Sequence, residues 1–152
     1  MPFRSARLLV LLWSVSLAAA AGAWADAAAP PHAVDPGSSE GAAITQPATA
    51  ALDTDLGKPA TLVVKQLKVF GDWAFVYGSL LGADGGPIDY AGTPYAEAAT
   101  NHAKSRSYAA LLRRDGDGWA LTDQAVGPTD PAWQAWPSQY GVPAPLVEVP
   151  GN

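Results

Sequence analysis

LVVKQLKVFGDWAFVYGSLL, residues Leu62 to Leu81, is two runs of β-branched, aliphatic and aromatic side chains on either side of Gly71-Asp72. Side chains of these kinds pack well on a pleated surface, and a two-residue spacer containing glycine closes neighbouring strands into a hairpin. The reading is a strand over Ala60 to Phe70, a turn at Gly71-Asp72 and a strand over Trp73 to Leu81. Leu67 and Val69 alternate with Lys68, but Leu62-Val63-Val64-Lys65 does not keep that phase, which predicts a bulge or twist near Lys65. On the second strand Trp73, Phe75 and Tyr77 share one face and Ala74, Val76 and Gly78 the other. Both faces are apolar, so this strand is expected at the centre of its sheet.

The same logic recurs downstream: Ser105 to Arg114 as strand, Asp115-Gly116-Asp117-Gly118 as turn, Trp119 to Val126 as strand. A lone hairpin is marginal in water, so the two must share one sheet and a helix must cover one side. That helix is expected over Ala43 to Leu56, with Ala48, Ala51, Leu52 and Leu56 on one stripe, Thr45 as N-cap and Gly57 as the stop. Pro47 would then lie in its first turn, where a missing N–H costs nothing. Gly82 to Lys104 is a long connection in which Thr93-Pro94 starts a short helix over about Tyr95 to Asn101. A connection of this length is often functional. After Gly127-Pro128, a further short helix begins at Thr129 to Trp133, lines up Trp133, Trp136 and Tyr140, and is kinked or ended by Pro137. The expected class is therefore α+β: an antiparallel sheet of about four strands in two hairpins, packed against an N-terminal helix, with a short C-terminal helix.

The two ends read differently from this body. Arg4 and Arg7 precede an apolar run from Leu8 to about Ala21 and the small-residue triplet Ala23-Trp24-Ala25, the pattern of a secretory signal cleaved after Ala25. Residues 26–42 hold almost no large apolar side chain and are expected to be a flexible leader, with His32 solvated in it. Residues 43–143 form the domain, and residues 144–152 are expected as a proline-rich tail. Removal of residues 1–25 leaves seven Lys and Arg against fourteen Asp and Glu, a net charge of -7 in place of -5. So acidic a surface argues against nucleic acid, which demands concentrated positive charge. The absence of cysteine removes disulfide and thiolate chemistry and any lipid-bearing cysteine. The processed protein is expected to be periplasmic or secreted, with no membrane span.

No constellation specifies a reaction. Asp115-Gly116-Asp117-Gly118 resembles the start of a calcium loop but has Trp119 and Val126 where further oxygen ligands are needed, so it reads as a hairpin turn. Two distant histidines without cysteine do not make an ordinary zinc site, and no metal or cofactor is expected. His102, the only histidine within the domain, has Glu97, Ser105 and Ser107 near it in sequence, but Gly78-Ser79-Leu80-Leu81-Gly82 is not a nucleophile elbow. Asp84 and Asp89 are a possible acid–base pair, yet their glycine and proline neighbours favour turns. Arg106, Arg113 and Arg114, with Lys65 and Lys68, suggest a small basic strip that would either protect a sheet edge or hold an anionic ligand or acidic partner. The numerous aromatic residues either wall a pocket or, as an alanine-rich domain requires, fill the core.

Gly71-Asp72-Trp73-Ala74-Phe75-Val76, the run Tyr108 to Arg114 leading to Gly118-Trp119, and Gly127-Pro128-Thr129-Asp130 with Trp133 and Trp136 resemble a family of small uncharacterised proteins exported by proteobacteria, over roughly Leu52 to Pro143. The resemblance implies a domain type and carries over no catalytic residue. The order helix, hairpin, long connection, hairpin is also similar to cystatin-like and cone-shaped, nuclear-transport-factor-like folds, an analogy of element order alone. Three functions follow as expectations. The first is a non-enzymatic binding module of the envelope, taking a protein or a small molecule. The second is a small pocket enzyme using Tyr77, His102 or Asp89. The third is an inhibitor of a protease or wall-degrading enzyme with the Gly82 to Lys104 loop or the tail as its wedge. The candidate binding residues are Tyr77, Asp89, His102, Arg106 and Arg113.

Overall fold

The computed structural model describes residues 29–151, so the export signal lies outside the described residues. In chain order the elements are β1 (His32–Ala33), α1 (Ser39–Leu56), β2 (Ala60–Phe70), β3 (Trp73–Gly82), α2 (Ala96–Thr100), β4 (Ser107–Asp115), β5 (Gly118–Val126), a 3-10 turn (Ala132–Ala135), α3 (Trp136–Tyr140) and α4 (Ala144–Val147). The five strands form one antiparallel sheet in the order β1-β2-β3-β4-β5, with β3 at its centre. Both hairpins are present, closed at Gly71-Asp72 and Gly116-Asp117. No helix among the described residues is long and apolar enough to cross a membrane.

Two bulges decide which side chains face which way. In β2 the pairing shifts between Val64 and Gln66, so Leu62 and Val64 before the bulge, and Leu67 and Val69 after it, all turn to the same side despite their opposite parity. In β5 a second shift, opposite Leu111 and Leu112, lets Trp119 and Leu121 share a side with Val126. That side is covered by α1, whose Ile44, Ala48, Leu52 and Leu56 pack on Ala74, Val76, Leu80, Tyr108, Ala110 and Leu112. Each large aliphatic side chain removed from water there contributes about 1.5 to 3 kcal/mol. Gly78 is a glycine because a Cβ at this position would overlap the Val63 carbonyl oxygen beside the first bulge.

The opposite side of the sheet is buried too. Phe75, Ala109 and Leu111 lie under Trp133, Trp136, Val142, Leu146 and Val147, so the 3-10 turn, α3 and α4 form a third layer. Phe75 meets Trp136 edge-on at 6.1 Å and Tyr77 meets Trp133 at 5.2 Å between ring centroids, separations at which aromatic pairs attract.

Four expectations are corrected. The sheet has five strands because part of the leader adds β1 to the β2 edge, His32 opposite Val69 and Ala33 opposite Lys68, with Val34 N–H donating to the Leu67 carbonyl at 3.0 Å. The leader is ordered in this stretch; His32 itself is exposed. Helix α1 starts at Ser39, because Ser38 caps it by accepting from Gly41 N–H at 3.0 Å; Thr45 lies inside, its hydroxyl donating to the Gly41 carbonyl at 3.0 Å. Pro47 therefore sits in the helix interior, tolerable because the carbonyl it deprives, that of Ala43, belongs to an exposed residue. Residues 144–151 are not a loose tail: Pro143 and Pro145 occupy the N-cap and first turn of α4, positions that need no N–H donor. Lys68 Nζ donates to the carbonyls of Pro145 and Glu148 at 2.9 and 2.8 Å, and Gln66 Nε2 to that of Glu148 at 2.7 Å.

Candidate functional site

The C-terminal layer leaves a groove of about 460 Å³ along its outer side. Trp133, Gln134 and Pro137 form one wall, and Pro145, Val147 and Glu148 the other. Trp133 also lines a second groove of about 230 Å³, shared with Ser105, Asp130 and Pro131. Trp133 is only 3% exposed and packs on Tyr77, so it is a fixed part of the lining of both grooves. The prolines hold φ near one value and make the walls stiff. Among the described residues, Glu148 is the only titratable side chain of the first groove and Asp130 the only one of the second. Acid–base chemistry needs a matched pair or a base beside a nucleophile, and the described lining of each groove holds a single carboxylate.

The five candidates from the sequence do not converge. Tyr77 is half-buried under Trp133. Asp89 is exposed on a cleft of about 350 Å³ with Asp84 and Lys58, but each carboxylate accepts from the backbone two residues ahead, Asp89 from Ala91 at 2.9 Å and Asp84 from Gly86 at 3.0 Å. These are turn-forming bonds. Lys58 donates to the Ala91 carbonyl at 3.0 Å, which ties this cation of the cleft to the same turn. His102 is exposed and holds φ 58°, closing α2: its N–H donates to the Ala99 carbonyl at 3.0 Å and that of Ala103 to Ala98 at 2.8 Å. That bond pair is the left-handed helix stop usually given to glycine.

The arginines are dispersed as well. Arg106 pairs with Leu80 at the start of the β3–β4 ladder, whereas Arg113 lies opposite Trp73 at its other end. Seven residues along a strand is about 23 Å and an odd number, so the two side chains leave opposite faces. Arg113 lies over Trp73 at 5.3 Å and Arg114 over Trp119 at 4.1 Å, while Lys68 is engaged with α4. Both central faces of the sheet are covered, so no solvent face is left for a continuous basic strip.

A polar cluster at the far end of α1 closes the long connection. Tyr95 donates its hydroxyl to Asp55, Lys104 lies 4.0 Å above the Tyr95 ring and donates to the Val126 carbonyl at 2.7 Å, and Tyr90 donates to Ser105 at 2.6 Å. Burial, then the Asp55 bond and charge, push the Tyr95 hydroxyl well above its ordinary range; burial does the same to Tyr90 and Tyr108. Burial lowers Lys104, against the pull of Asp55. The hydrogen bonds of Tyr95 to Asp55 and of Tyr90 to the Ser105 carbonyl tie the connection to α1 and to the start of β4; with Ile88, Tyr90 and Thr93 buried as well, the Gly82 to Lys104 segment is no free wedge.

Sequence reasoning passed over Glu148, Val147 and Pro145 because prolines flanked them. The available signal was Leu146-Val147, an apolar pair directly after two prolines that can open a helical turn. No protein-family model matches this chain, and no curated protein and no solved structure is significantly similar to it.

Proposed function

We propose that this chain is an exported, non-enzymatic binding module of the bacterial envelope, and that it binds through the groove beside Trp133. The observation that carries the reading is a stiff external groove, set against a core of buried side chains, whose lining among the described residues holds no acid–base pair. A pocket enzyme would need Tyr77, His102 or Asp89 around one cavity, and these residues occupy three separate surroundings. Export is supported by Arg4, Arg7, the Leu8 to Ala21 run and Ala23-Trp24-Ala25, and by the resemblance of the Gly71 to Val76 and Gly127 to Trp136 motifs to small exported proteins.

The test is capture from envelope extract by the processed protein, beside an Ala144→Trp variant. Ala144 is exposed on the groove, so an indole there fills it without touching the core. A partner retained by the original chain and reduced at least tenfold by Ala144→Trp, with an unchanged circular dichroism spectrum, is the expected result. Equal capture by both would move the site elsewhere on the surface; no capture by either would remove the reading's support.

A further inference from the structure

Resting on the groove reading above, we propose that the occupant is an extended basic peptide segment lying across Trp133, from the groove that holds Glu148 to the groove that holds Asp130. Three features point to this occupant. Trp133 is part of the lining of both grooves, which measure about 460 and 230 Å³, so a compact molecule fills one of them while an elongated chain engages both. Among the described residues each groove carries a single charged side chain, Glu148 in one and Asp130 in the other, both exposed and both acidic. Lys68 donates to the main-chain carbonyls of Pro145 and Glu148, and the Glu148 side chain stays exposed. The chain as a whole carries a net charge of -5, which repels anionic segments and steers cationic ones toward the surface.

The walls also favour a flexible ligand. Pro131, Pro137 and Pro145 keep the groove pre-shaped, so the ordering cost on association falls almost wholly on the peptide. Apolar residues of such a segment would rest on Pro137, Ala144 and Pro145, with Lys or Arg side chains reaching out to the two carboxylates. Contacts of this kind between exposed charges are individually weak and screened by salt.

The experiment is a nuclear magnetic resonance titration of the ¹⁵N-labelled protein with a twelve-residue peptide of Pro, Leu and Arg, with the same peptide carrying Glu in place of every Arg, and with free arginine. The expected result is that the arginine peptide shifts the Trp133 indole signal and the amides of Gln134 and Glu148. Glu148→Lys and Asp130→Lys should each weaken it about fivefold, added salt should weaken it further, and the glutamate peptide should leave the spectrum unmoved. Equal binding of the glutamate peptide, or affinity unchanged in both variants, would overturn the proposal. Free arginine saturating the same signals as tightly as the peptide would overturn it in favour of a small-molecule site. Failure of all three probes, beside an Ala144→Trp-sensitive capture, would refute the basic peptide and leave the binding module standing.

Discussion

At the scale of single residues, a side chain that looks chemical in sequence is often held by its backbone. His102 is the case in point: alone among the described non-glycine residues it has positive φ, at 58°, and both bonds of the helix stop pass through its neighbourhood. A β-carbon in the left-handed region costs on the order of 1 kcal/mol, which glycine avoids. His102→Gly should therefore raise the unfolding free energy by about 0.5 to 1 kcal/mol, read as a higher urea midpoint at unchanged slope. Equal or lower stability would mean that the imidazole makes contacts outweighing its strain. Asp84 and Asp89 follow the same pattern, since the small turns that their carboxylates stabilise account for their presence. The turn character of the two aspartates was legible from adjacent glycine and proline. The conformation of His102 was not, because nothing in Thr100-Asn101-His102-Ala103 marks which residue takes the left-handed position.

Elements were legible where a period was long and uninterrupted. The two hairpins, the break in phase at Lys65 and the central place of β3 all follow from alternation, and the structure has them. The start of α1 did not follow, because a proline is expected in the first turn of a helix, which sets Pro47 just after a cap at Thr45. Ser38, with Gly41 three residues later, provides the actual cap, and Gly41 is needed there since a Cβ would overlap the Asp35 carbonyl oxygen and the Pro36 backbone. A proline in a helix interior costs about 3 kcal/mol, reduced where the freed carbonyl reaches water, as that of exposed Ala43 does. Pro47→Ala is expected to raise stability by about 1 to 3 kcal/mol and leave the helical content unchanged, measured by urea unfolding followed at 222 nm. Were the helix to begin at Thr45, the proline would occupy a favoured first-turn position, and the substitution would yield no gain.

At the scale of the whole molecule, the decisive fact is that the sheet is buried on both sides, by one long helix on one and by three short helical pieces on the other. The apolar character of both faces of Trp73 to Tyr77 pointed to a central strand, with a helix expected over one side of the sheet; the second cover was not legible because its covering segment is short, interrupted and rich in proline. Its Leu146 and Val147 lose nearly all contact with water, contributing together about 3 to 6 kcal/mol. Total stabilities of such domains are about 5 to 15 kcal/mol, so this segment carries a large share. Ending the chain after Pro143 should lower the thermal midpoint by at least about 10 °C and expose the Phe75 side of the sheet, seen as new binding of a hydrophobic dye. It should also abolish the groove beside Trp133, since one of its walls leaves with the segment. A truncated chain that melts with the full one would mean that residues 144–151 rest on the domain without holding it together, and the wall that Glu148 and Val147 form would then be too loose to serve as half of a binding site.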